Sequence, residues 1–123
     1  MQRTATLLLV LAGAGLVAWS AALHLYLYGD YFHRVPTIGP LFVVQGAVGC
    51  LTALAIVAFR RSLMALAGAV FLIATAGGLL FSVWHSLFGY HERFGAPYVG
   101  ESLIVEGVGA VLLIGAAGLL ARN

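Results

Sequence analysis

The chain has no lysine, one cysteine, three prolines and only four acidic residues. With Cys50 alone, no internal disulfide can form. The six basic residues are all Arg, and a formal net charge of +2 is too small and too dispersed for a nucleic-acid surface. Charged residues make up 8% of the 123 residues and hydrophobic ones 63%, at a mean hydropathy of +1.07. A soluble domain of this size cannot hide that much apolar surface, because small domains leave a large share of their residues exposed. There is no phosphate-binding glycine loop, no serine nucleophile elbow, no CxxC pair and neither an HExxH nor an ExxH pair.

What is there is apolar sequence in runs of roughly 20 residues, the length that crosses the hydrocarbon of a bilayer. The runs are continuous rather than alternating, which predicts helices and excludes a barrel. Four spans are expected, at residues 5–28, 40–59, 62–88 and 101–120, folded as one all-α transmembrane four-helix bundle over residues 1–123. Met1 to Ala22 has the basic start and small residues of a cleaved leader. Its apolar run continues through Leu23, Leu25 and Leu27, so it is read as the first helix.

Sliding the chain 61 positions along itself places His24 on His85, Pro36 on Pro97, Gly39 on Gly100 and Val44 on Val105. It also places Gly46 on Gly107, Leu51 on Leu112, Ala55 on Ala116 and Arg61 on Arg122. These are 8 identities over the 38 positions from His24 to Arg61, against roughly 4 expected by accident in so narrow a composition. Scarce residues coincide: the chain has only 4 His and 3 Pro. Two repeated hairpins, about 1–61 and 62–123, are expected, and Gln45 falls on Glu106.

Arg3, Arg60, Arg61 and Arg122 lie on the side shared by both termini and the second loop, which the positive-inside rule makes cytoplasmic. A multi-pass protein of the cell membrane is expected, with the loops Gly29 to Gly39 and Gly89 to Gly100 outside. Every acidic residue and every histidine then belongs to the outer half, so the chemistry is expected on the extracytoplasmic side. The aromatic residues gather there too, chiefly as an interfacial belt.

Counting inward from the outer helix ends puts His24, Gln45, His85 and Glu106 at one depth, roughly 5–8 Å below the rim. Polar groups at that depth should face the bundle interior, because lipid leaves them unsatisfied. Two imidazoles and a carboxylate, with an amide nearby, suit a transition metal such as Zn, Fe or Mn, with His24, His85 and Glu106 as ligands. Facing histidines also suit the axial positions of haem b, with Gln45 and Glu106 beside them, and a redox or electron-transfer role. Alternatives are a quinone or lipid headgroup held by His and Glu, or a network that only joins the helices. Glu106, costly if ionised and unpaired at that depth, has Ser102 one turn before it as a partner. Asp30, His33, His91, Glu92 and Glu101 form a weaker outer cluster.

The stretches His24-Leu25-Tyr26-Leu27-Tyr28 and Val35-Pro36-Thr37-Ile38-Gly39-Pro40-Leu41-Phe42 resemble a pattern in small four-span integral membrane proteins of actinobacterial type. The resemblance spans most of the chain and implies the topology, without an activity. Beyond the lipid bilayer, the short loops and small-residue faces suit a homo-oligomer or an accessory subunit of a larger membrane complex.

Overall fold

A computed structural model describes residues 2–122; Met1 and Asn123, the ends of the expected domain, lie outside the described residues. Four α-helices carry the fold: α1 Gln2–Asp30, α2 Ile38–Phe59, α3 Ser62–Trp84 and α4 Val99–Ala121. All four are long and apolar enough to cross a membrane. At ~1.5 Å per residue, α1 is about 44 Å long. That exceeds the ~30 Å of a bilayer's hydrocarbon by about 14 Å.

The connections differ in kind. Arg60 takes a left-handed conformation (φ 48°, ψ 48°) and its N–H bonds the Ile56 carbonyl at 3.0 Å, so α2 passes into α3 within two residues. Between α1 and α2 lies one 3₁₀ turn, Phe32–Arg34. Pro40 falls in the first turn of α2, where a missing N–H costs nothing. The start of α4 lies 61 residues after the start of α2. Each follows Pro-X with X at positive φ, Thr37 at 67° and Tyr98 at 69°.

Helix α3 stops at Trp84, short of the expected end at Phe88. Two local causes end it. Phe88 and Gly89 both have positive φ, 49° and 82°, and a helix cannot hold them. They are the centre of a two-residue turn closed by Leu87 N–H to the Tyr90 carbonyl at 2.8 Å and Tyr90 N–H to the Leu87 carbonyl at 2.9 Å. The Ser82 carbonyl meanwhile takes its hydrogen bond from Glu92 N–H at 2.8 Å, which folds the 85–98 loop back over the bundle.

Packing divides the bundle lengthwise. Helix α1 lies along both α2 and α4, α3 lies along α4, and the α2–α3 seam is thinner. In the half nearer the termini the core is mainly apolar, with Val10, Val17, Ile56, Leu72 and Leu113 completely buried among alanines and Thr6 as its buried polar residue. Gly49 sets the α1–α2 spacing there: a Cβ on it would lie 2.7 Å from the Ala21 Cβ, which cannot swing aside. The other half, beneath the 31–37 and 85–98 loops, holds the polar groups.

Candidate functional site

Glu106 is the site's anchor, with 0% exposure in the middle of four helices. Ser102, one turn earlier on the same face of α4, donates to its Oε2 at 2.7 Å. Ser20 of α1 donates to the same oxygen at 3.1 Å. Gln45 of α2 donates through Nε2 to Ser20 Oγ at 3.2 Å and to Thr75 Oγ1 of α3 at 3.4 Å. Thr75 in turn gives its proton to the Phe71 carbonyl at 2.8 Å. Because both hydroxyl protons are committed elsewhere, Ser20 and Thr75 offer Gln45 only lone pairs. That fixes its amide with nitrogen toward them. The chain therefore runs one way, from Gln45 through Ser20 to Glu106. Among the described residues two buried acceptors are left without a partner, Gln45 Oε1 and Glu106 Oε1. A buried unsatisfied acceptor costs about 1–3 kcal/mol, so each marks a place where a donor is wanted.

His24 lies one turn above Ser20. Its Nδ1 is 2.8 Å from the Ser20 carbonyl oxygen; a carbonyl only accepts, so Nδ1 carries the proton and Nε2 of the neutral ring is an acceptor. The imidazole packs on Phe42 at 4.7 Å, Phe42 stacks on Phe32 at 4.2 Å, and Phe32 meets the edge-on ring of Tyr90 at 5.1 Å. These four rings wall a cavity of about 210 Å³ whose lining also includes Gln45, Thr75, Gly78, Ser82, Glu92 and Ser102. Its roof is the 85–98 loop. Glu92 there is only 8% exposed; its Oε2 accepts from the Tyr90 hydroxyl at 3.2 Å and its Oε1 from Arg93 N–H at 3.0 Å. Burial, reinforced by Glu92, pushes the Tyr90 hydroxyl above its ordinary pKa, which keeps it a donor.

The expected layer is thus corrected in membership. Gln45 and Glu106 are joined, with Ser20 as the bridge, and His24 sits a turn above. His85 is not part of it: α3 has ended, His85 is its extended, exposed C-cap, and its ring rests on Phe81 at 5.1 Å. It does not line the cavity. The outer cluster is also dispersed. Asp30, His33, His91 and Glu101 are exposed. His33 Nδ1 lies 2.9 Å from the Tyr28 carbonyl, Glu101 accepts from the Trp19 indole at 3.0 Å, and only Glu92 reaches the cavity. Among the described residues no three His, Cys, Asp or Glu side chains are grouped to hold a metal ion.

Ser20, Thr75, Phe32, Phe42 and Tyr90 escaped the reading of the sequence. The signal for Ser20 was present, because it precedes His24 by one helical turn and so shares its face. Phe32 and Tyr90 carried no comparable signal, since loop folding alone brings them to the site. No protein family, curated protein or solved structure matches this chain.

Proposed function

We propose that this protein binds a small amphipathic organic molecule, a lipid headgroup or quinone-type ring, in the cavity beneath its 85–98 loop. The observation that carries this is an apolar, ring-walled cavity of about 210 Å³ with a few polar residues, His24, Gln45, Thr75 and Glu92, among its lining. Apolar walls with a few convergent polar groups are the usual build of a ligand pocket. Since a cavity of about 150 Å³ accepts benzene, this one suits a substituted ring or a short chain and is too small for a porphyrin. The metal or haem b reading, with its electron-transfer role, retains His24 alone of its two histidines on the cavity wall.

The site belongs to the extracytoplasmic half of a cell-membrane protein with both termini cytoplasmic. Four of six Arg residues at the opposite end support that orientation. The two-hairpin repeat, residues 1–61 and 62–123 about an axis normal to the membrane, is supported by the equal offset of the α2 and α4 starts and by the positive φ of Thr37 and Tyr98 before them.

The test is purification in mild detergent followed by a visible spectrum, elemental analysis, and mass spectrometry of a solvent extract. The expected result is a colourless, metal-free protein that releases an amphiphile, and a Gly78→Leu variant that releases none. A Cβ on Gly78 meets nothing within 4 Å, so this change fills the cavity without a backbone clash. A Soret band or a stoichiometric metal lost in His24→Ala overturns the proposal. An empty protein with a stoichiometric partner chain overturns it in favour of an accessory subunit.

A further inference from the structure

We infer that the polar end of the ligand is a primary ammonium, an inference that rests on the ligand-site reading above. The argument is a balance of donors and acceptors on the cavity wall. Every side-chain donor there but one is spent inside the protein. His24 and Gln45 give theirs to Ser20 and Thr75, and Thr75 and Ser82 give theirs to the carbonyls of Phe71 and Leu79. Tyr90 and Ser102 give theirs to Glu92 and Glu106. The remaining hydroxyl, Tyr98, sits exposed at the rim, edge-on to Tyr26.

What the wall offers is acceptors: the His24 ring, whose Nδ1 faces the Ser20 carbonyl, and the Glu92 carboxylate, whose two oxygens take one hydrogen bond each within the protein. No Lys or Arg lines the cavity. A phosphate or carboxylate would therefore be buried without a counter-charge, and a quinone carbonyl would find only the Tyr98 hydroxyl at the rim as a donor. A hydroxyl supplies one donor and no charge. An ammonium supplies three donors and a positive charge for Glu92, which forms no ion pair among the described residues and is 8% exposed. The ammonium belongs either to a lipid headgroup or to a free amphipathic amine.

The experiment uses the full chain in nanodiscs of choline lipids and measures saturation-transfer NMR binding of octylamine, octanol, octanoate and trimethyloctylammonium, with Gly78→Leu as the partitioning blank. Octylamine should bind roughly tenfold tighter than the trimethyl probe, which has charge but no N–H, and than octanol. Octanoate should not exceed the blank. Glu92→Gln, which keeps the side chain's shape, should remove the preference for octylamine over octanol. If octanoate or octanol matches octylamine in the native protein, the ammonium assignment is overturned while the site reading stands. If no probe exceeds the Gly78→Leu blank, the site reading itself fails. Repeating the titration in discs of ethanolamine lipid decides the source: weaker octylamine binding identifies the headgroup as occupant, and unchanged binding a free amine.

Discussion

Ser20 of α1 and Glu106 of α4 are hydrogen-bonded at 3.1 Å across 86 positions of sequence. The same Ser20 oxygen accepts from Gln45 of α2, so one hydroxyl ties three helices around the buried carboxyl group. Ser20→Ala removes a donor from Glu106 and an acceptor from Gln45 at once. It should destabilise the bundle by about 1–3 kcal/mol, read as a lower midpoint in detergent-mediated unfolding. Ser86→Ala, at an exposed hydroxyl, should leave the midpoint unchanged. Equal midpoints for all three proteins would show that the bridge contributes nothing.

Gly39 and Gly100, one of the two glycine pairs that coincide in the 61-residue shift, should behave differently. A Cβ on Gly39 would collide with the Phe32 carbonyl oxygen, whereas one on Gly100 meets nothing within 4 Å. Gly39→Ala should therefore displace the Phe32 turn, cost about 1–3 kcal/mol and weaken ligand retention. Gly100→Ala should be neutral or slightly stabilising. Thermal unfolding of the pair measures the contrast, and a reversed order would contradict the described loop.

Phe88 occupies a left-handed position (φ 49°) before Gly89 and is 64% exposed. Asn-Gly suits a two-residue turn with both central residues left-handed. Phe88→Asn should raise stability by about 0.5–1 kcal/mol, seen as a higher melting temperature in detergent with the cavity intact.

Orientation is tested by labelling intact cells. In a Cys50→Ser background, His91→Cys should react with a membrane-impermeant maleimide and Arg61→Cys should react only after lysis. The opposite pattern would put the cavity on the cytoplasmic side.

Much of the fold was legible because hydropathy over 20 residues is a strong signal. The expected second span, 40–59, differs from α2 by two residues at its start. Depth counting also found Gln45 and Glu106, because both lie on helices that stay regular through that level. It failed at His85, because it treated α3 as unbroken. Hydropathy cannot register that Phe88 and Gly89 turn left-handed or that Glu92 N–H takes the Ser82 carbonyl. Those are local conformation and tertiary contact. For the same reason the burial of Glu92, a charged loop residue that reads as solvated, was not visible. The structure recasts the outer cluster as one buried carboxylate over a cavity and four exposed side chains.

The most direct test of the ligand site is native mass spectrometry of the protein released from membranes of its own host. The account predicts one small organic adduct on the native chain, absent in Gly78→Leu. An adduct that survives Gly78→Leu, or one with the mass of a metal ion or haem, would contradict it.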